Sequence, residues 1–328
     1  VGDTIILTGP TRGLGLATTK ALLKRSPTAT LVLAGRNTAE LDRLARRLKR
    51  WRPRATLVPL SLDLQSQMSI RTFADTFRER NLGPPTALVL SAGLQFSEGG
   101  AVGESGADLT FTNNHLGHFL LANLLAGDMA PEGRIIFVSS GTHDPENRTG
   151  IPVPMVRSAD DAAYPARAGN NDPPRVAGPR AYSTSKLCNI LCAYELDRRV
   201  QLCGRSGPSI MAFDPGLMPG TGLARTYPAP LRLIWSLVLP RIIPILRLAM
   251  GPNVNSTAES GDNLARLAVD PAVHGWTGVY VVKKKAVPSS RQSYDTMLQA
   301  DLWALSAQLT NLSPSEGEFA WKVAPPPF

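Results

Sequence analysis

The chain of 328 residues carries 35 lysines and arginines against 26 aspartates and glutamates, a formal charge of +9, and 43% of it is hydrophobic. Those values suit one globular α/β domain over residues 1–328 and exclude a low-complexity or fibrous chain. The basic residues are spread along segments such as Leu41 to Arg54 without a recognition motif, so they read as solvated helix faces and no nucleic-acid partner is expected.

Thr4 to Thr8 forms a short apolar strand, a glycine-rich turn follows, and Leu14 to Arg25 has the spacing of a helix packed on a sheet. Thr30 to Ala34 is a second strand, Glu40 to Arg52 a basic amphipathic helix, Ala55 to Leu60 a third strand, and Gln67 to Glu79 a helix. The alternation continues through a strand at Thr86 to Leu90, a long helix from Asp108 to Leu125, and a strand at Arg134 to Val138. After it come a helix from Pro179 to Arg199, a strand at Ser209 to Ala212, a helix at Gly261 to Ala268 and a last strand at Gly278 to Val282. Alternating strands and helices predict a doubly wound, mainly parallel sheet of seven strands with helices on both faces.

Two stretches break the pattern: Gly141 to Pro179, rich in proline and glycine, and Thr221 to Ser256, apolar and punctuated by proline. Both follow carboxyl ends of strands, the edge where open α/β sheets bind ligands, so they are expected as walls or a lid of a substrate site, or as surface loop. Within the second, Leu231 to Met250 is interrupted by Arg232, Pro240, Arg241, Pro244 and Arg247, which excludes a spanning helix and leaves peripheral membrane contact or cover for an apolar pocket. Cys188, Cys192 and Cys203 lack metal-ligand spacing and the density of a disulfide framework, so no metal is expected and a reducing setting fits. No leader precedes Val1, and a cytoplasmic location is expected, as a monomer or a homodimer.

Gly9, Gly13 and Gly15, spaced G-x3-G-x-G with Thr11, Arg12 and Leu14 between and beside them, let backbone approach a pyrophosphate at a helix amino end. The second strand ends Leu33-Ala34-Gly35-Arg36-Asn37, with no acid to hold a free ribose 2′-hydroxyl. Arg36, joined by Arg12, offers guanidinium groups to a 2′-phosphate, which favours NADP(H) over NAD(H). Tyr182 and Lys186 stand four apart, on one helix face, where an ammonium favours phenolate and tunes a phenol for proton transfer to a carbonyl. Ser140 ends the strand that begins at Arg134 and can bond a substrate oxygen, with Ser139 the competing residue. Asn114 is placed to hold a water that links Lys186 to solvent, or to bond buried backbone.

Taken together, Thr8-Gly9 through Gly15, Asp63, Ser91-Ala92-Gly93, Asn114 through Gly117, Ser139-Ser140, Tyr182 with Lys186, and Asp214-Pro215-Gly216 resemble the short-chain dehydrogenase/reductase superfamily and its single-domain Rossmann fold. The resemblance implies that Asp63 and Leu64 border an adenine, that Ser91, Ala92 and Gly93 line the cofactor, and that Pro215, Gly216 and Leu217 with Thr221 flank the nicotinamide. It also matches Asn114, Ser140, Tyr182 and Lys186 to the family's catalytic tetrad, with Tyr182 and Lys186 touching the cofactor as well. Within the superfamily, Asn114-His115-Leu116-Gly117-His118-Phe119, Pro219-Gly220-Thr221-Gly222-Leu223, Glu259-Ser260-Gly261 and Leu302-Trp303-Ala304-Leu305-Ser306 resemble the branch of retinol dehydrogenases and light-dependent protochlorophyllide reductases. The pigment enzymes usually have cysteine where Leu217 stands and asparagine where Ser91 stands. The resemblance thus implies an NADP(H)-dependent carbonyl reductase, or the reverse alcohol dehydrogenase, acting on a fairly large apolar substrate. A light-dependent reductase and a non-catalytic cofactor-binding sensor are the rival readings.

Overall fold

A computed structural model describes residues 2–167, 169, 171–204, 207–221, 233–317 and 319. Along the chain run β1 (Thr4–Thr8), α1 (Gly13–Arg25), β2 (Thr30–Gly35), α2 (Thr38–Trp51), β3 (Thr56–Ser61), α3 (Gln67–Glu79) and β4 (Ala87–Leu90). A helical stretch follows in three parts, α4 (Leu109–Phe111), a π-helical turn (Thr112–Leu116) and α5 (Gly117–Ala126). Then come β5 (Arg134–Val138), α6 (Ala159–Ala163), α7 (Pro174–Leu202), β6 (Ser209–Asp214), α8 (Ile243–Met250), α9 (Thr257–Val269), β7 (Val279–Val282), β8 (Lys285–Val287) and α10 (Thr296–Leu309).

The strands form one sheet in the order β3-β2-β1-β4-β5-β6-β7-β8, parallel except for the last pair. Because successive residues of a strand face opposite sides, Ile6, Val32, Leu88 and Ile135 join one core with α3, α5 and α7. Ile5, Leu7, Leu31, Val89 and Ile136 join the other, with α1, α2 and α9. Helices therefore cover both faces, and the strand order reverses between β1 and β4. Loops leaving those neighbouring strands diverge to opposite faces and open a crevice at the carboxyl edge.

Seven strands were expected and the sheet has eight. β8 escapes sequence reading because it is three residues long, begins with a lysine and follows a tight turn at Lys283 (φ 56°) without the Asn-Gly or Asp-Gly that usually signals a hairpin. The helix expected from Pro179 begins instead at Pro174, and Pro179 lies inside it. A proline at the first turn of a helix is favourable, and two prolines compete for that place here. Gly178 explains why the longer helix fits: a Cβ there would come within 2.7 Å of the Phe96 carbonyl oxygen, so the first turns of α7 press directly on the chain after β4.

The stretch from Gly141 to Pro179 contains short 3₁₀ turns at Gly141–His143 and Pro145–Asn147 as well as α6, which packs with Leu298 and Leu302 of α10. Of the second irregular stretch, residues 222–232 lie outside the described residues, including Gly222, Leu223, Leu231 and Arg232. Its remainder holds α8 and exposes Leu233, Ile234, Leu237, Val238, Ile245 and Leu248. Among the described residues, no helix is long and apolar enough to cross a membrane.

Candidate active site

At the carboxyl edge of β1, β2 and β4 a cleft of about 910 Å³ runs from the glycine turn to Tyr182 and Lys186. Gly9 (φ 69°) and Gly13 (φ 49°) adopt left-handed backbone, and a Cβ on Gly15 would sit 2.0 Å from the Gly9 carbonyl oxygen. The turn can close only with glycine at that point. Arg12 occupies the N-cap of α1 without a capping side-chain bond, so the first N–H groups of the helix lack the usual side-chain partner. Such a cradle fits a pyrophosphate.

At the far end of the cleft, Arg36 is exposed on the rim and has no ionic or hydrogen-bond partner among the described residues. Arg12 has one, because Nη2 lies 3.3 Å from Glu40 Oε1, and Glu40 also lines the cleft. This acid was missed by looking for one only at the end of β2. Its signal was Asn37-x-x-Glu40, the pattern of a helix start: Asn37 Oδ1 accepts from the Glu40 N–H at 3.0 Å, and Glu40 reaches over to Arg12.

Leu62 and Leu64 form the adjacent wall, while Asp63, expected to border an adenine, is not among the lining residues. Asp63 is turned into its own loop, where Oδ1 accepts from the Gln65 N–H at 3.1 Å and its N–H donates to Ser69 Oγ at 2.9 Å. Ser91, Ala92 and Gly93 are among the residues lining the cleft. The Thr8 hydroxyl accepts from the N–H groups of Ser91 at 2.9 Å and Ala92 at 3.0 Å, and Ser91 Oγ donates to the Thr8 carbonyl at 2.6 Å.

Around Tyr182 the geometry tightens. Lys186, only 3% exposed, donates from Nζ to the Val138 carbonyl at 3.0 Å and lies 5.4 Å from the centre of the Tyr182 ring. Burial pulls its ammonium down to about 8, against the opposing charge of Asp214. Burial raises the Tyr182 phenol, Asp214 raises it further, and a hydrogen bond with Ser140 offsets part of the rise. Ser139 lines the cleft, yet its hydroxyl is committed to the Lys186 carbonyl at 2.7 Å; Ser140, which is not among the lining residues, is the serine that bonds the phenol.

Asp214 is itself buried, held by the Gly216 N–H and Asn253 Nδ2, each at 2.7 Å, and burial raises its carboxyl. Gly216 and Leu217, expected beside the nicotinamide, are not among the lining residues, whereas Pro215, Met218 and Thr221 are. At Leu217 the N–H donates to the Asn253 carbonyl and the carbonyl accepts from the Asn255 N–H, a one-residue bridge beside Val254.

The expected continuous helix from Asp108 is broken at Asn114 by the π-helical turn, in which the Gly117 N–H reaches the Thr112 carbonyl. All hydrogen-bonding positions of the Asn114 side chain are engaged with protein. Oδ1 accepts from the Leu94 N–H at 2.8 Å and from Asn113 Nδ2 at 3.1 Å, while Nδ2 donates to the Leu94 carbonyl at 2.8 Å and to Ser185 Oγ at 3.0 Å. The side chain thus takes the backbone-bonding alternative and is not free to hold a water. His118, one turn on, adds a buried link unforeseen in the sequence: its Nδ1 lies 3.1 Å from the Asn114 carbonyl and its Nε2 3.1 Å from Thr8 Oγ1.

The family described as short chain dehydrogenase matches residues 3–150 through its sequence model. Over 318 residues the chain is 30% identical to the short-chain dehydrogenase TIC 32 B, chloroplastic, of Brassica napus, an alignment covering 95% of this chain and 89% of the relative. The chain belongs to the short-chain dehydrogenase/reductase family, a family of oxidoreductases. It is also 30% identical to the chloroplastic protochlorophyllide reductase of Daucus carota, over 94% of this chain and 78% of that one, in keeping with the branch seen in the motifs. Among solved structures, the L-sorbose reductase of Gluconobacter frateurii complexed with NADPH and L-sorbose superposes with a TM-score of 0.60 at 17% identity, covering 88% and 97% of the two chains. An NADPH-bound carbonyl reductase from chicken fatty liver gives 0.57 at 17% identity, with 88% and 99% covered. At such identities the likeness is one of fold. The curated relatives correct one expectation: they are chloroplastic proteins, which overturns the cytoplasmic setting. That setting rested on the absence of a leader before Val1, and a start that is not methionine says nothing of what precedes it.

Proposed function

We propose that this family member is an NADP(H)-dependent oxidoreductase that interconverts a carbonyl and an alcohol on a fairly large apolar substrate. One observation carries the reading: Tyr182 and Lys186 line the same cleft as a glycine turn whose helix start lacks a side-chain cap. Gly9, Thr11, Arg12, Gly13, Leu14 and Gly15 would hold the pyrophosphate, and Arg36 a 2′-phosphate. The two solved neighbours with bound NADPH support that choice of cofactor. When bound, the nicotinamide supplies or accepts the hydride.

The chain's own residues handle the proton. Tyr182 donates it to the carbonyl oxygen, Ser140 bonds the phenol and orients that oxygen, and the Lys186 ammonium offsets the charge left on Tyr182. Asn114 serves as a positioning residue, fixing the backbone of Leu94 and the hydroxyl of Ser185 beside this pair. Tyr182→Phe should lower turnover of apolar ketones by about a hundredfold or more, the usual weight of a positioned acid, with NADPH affinity retained. Full turnover by that variant would overturn the role.

The pigment-reductase relatives favour a second reading in which light drives the hydride step. Running each assay in light and in darkness separates the two. A protein that binds NADPH but turns over no ketone, aldehyde or alcohol in either condition would be a sensor instead.

A further inference from the structure

Gln95 is 6% exposed, yet its side chain forms no hydrogen bond among the described residues. It lines the cleft with Leu94, Tyr182 and Met218, and its amide is not among the polar atoms sealed without a partner, so the amide opens on the cleft. A side chain so largely buried, whose amide is spent on no protein group and reaches only the cleft, is placed to bond what enters there.

Its surroundings hold it firmly. On one side both backbone groups of Leu94 are bonded to the Asn114 side chain at 2.8 Å, and Asn114 continues through Ser185 Oγ to the Tyr182 carbonyl at 2.7 Å. On the other, the Gly99 N–H donates to the Pro174 carbonyl at 2.8 Å, and Gly178 packs without a side chain on Phe96 and Glu98. Residue 95 is therefore fixed relative to the phenol of Tyr182 by two clamps, one on each flank.

Resting on the proposed carbonyl chemistry, we infer that Gln95 is a substrate-specificity residue. Its amide receives a second oxygen function, a carbonyl or hydroxyl, carried by an otherwise apolar substrate apart from the group that reacts. The amide supplies one acceptor and two donors, so either function is matched. The neighbouring Leu94 and Met218 offer apolar contact to the rest of the ligand. A pocket built to hydrogen-bond an oxygen discriminates strongly against an analogue that lacks it, because the buried partner is then left unpaired.

The test compares wild type with Gln95→Leu and Gln95→Glu on paired ketones, one a diketone or hydroxyketone and the other with a methylene in place of the second oxygen. Binding of each ketone to the NADPH-loaded protein is measured by calorimetry, alongside KM, kcat and the Kd of NADPH. Wild type should bind the oxygenated member of the pair about tenfold more tightly. Gln95→Leu should lose that preference through KM with kcat and the Kd of NADPH unchanged, and Gln95→Glu should keep hydroxyketone binding better than diketone binding. Equal binding of both ketones by wild type, equal losses for both in Gln95→Leu, or a weakened NADPH Kd alone would overturn the assignment. The calorimetric preference is read whether or not turnover occurs, so failure of the carbonyl reading shows as absent turnover and failure of the subsite as absent preference.

Discussion

Thr8 Oγ1 lies 3.1 Å from Nε2 of His118, joining the end of β1 to the helical stretch that carries Asn114. The tautomer follows from the partners. The Asn114 carbonyl can only accept, so the ring carries its proton on Nδ1, and Nε2 accepts from the Thr8 hydroxyl. That hydroxyl already accepts from Ser91 and Ala92, so one buried oxygen serves three partners.

Thr8→Val keeps the shape and removes all of these bonds. The Ser91 N–H keeps the Val89 carbonyl at 3.2 Å, so the loss falls on the Ala92 N–H and the buried ring nitrogen and should cost about 2 kcal/mol. The expectation is a lower midpoint in urea at unchanged m-value. A loss below about 0.5 kcal/mol would show that the network carries little weight.

Acid should expose the same histidine. Burial holds His118 and His115 neutral, lowering each to about 3. Between the unfolded value near ~6.5 and about 3 the unfolded chain binds protons that the fold refuses, so stability falls as pH drops through that window. Each histidine should contribute up to about 1.4 kcal/mol per pH unit there. Stability curves for His118→Gln, taken from pH 7 to 4, should be measurably flatter than wild type, and parallel curves would remove His118 from the acid response.

Lys186 sets an expectation at the other end of the scale. With its ammonium near 8 and Tyr182 protonated far above that, kcat/KM for NADPH in carbonyl reduction should fall as pH rises through about 8, as Lys186 loses its charge. The negative charge of Asp214 raises both groups, so Asp214→Asn should move this descending limb to lower pH. A limb at the same pH in the variant would separate Asp214 from the titration.

Cofactor choice should respond to Arg36 and Glu40 in opposite directions. Arg36→Ala removes the guanidinium without a partner at the rim and should weaken NADPH at least tenfold while leaving NADH nearly unchanged. Glu40→Gln releases Arg12 from its ion pair and should raise the preference for NADPH a few-fold, an effect that fades in high salt because the pair is exposed. Titrations with both cofactors at two salt concentrations check both statements.

The fold and the polar centre of the site were legible because each rests on a strong local pattern: glycines where Cβ cannot fit, tyrosine and lysine one helical turn apart, and apolar strands between helices. Glu40, Met218, Gln95 and His118 were not. Their importance comes from contacts made across the fold, between α2 and the glycine turn, beside Leu217, behind Leu94, and from the helix to β1. Leu217 shows the reverse case, a motif neighbour whose backbone bridges to Asn253 and Asn255 far along the chain and which is not among the lining residues. The eighth strand was missed because its pairing residues are lysine, alanine and valine after an unmarked turn.

The π-helical turn at Thr112–Leu116 is one residue longer than an α-helix needs to cover the same rise. Deleting a residue there would take out the surplus and let the helix wind regularly, leaving the flanking turns in place while the residues of the bulge itself change the direction they face. Asn114 would then leave Leu94 while Gly117 stayed pressed on Leu64. Helix register and candidate site are coupled at this point, where the hold of Asn114 on Leu94 depends on a surplus residue being kept.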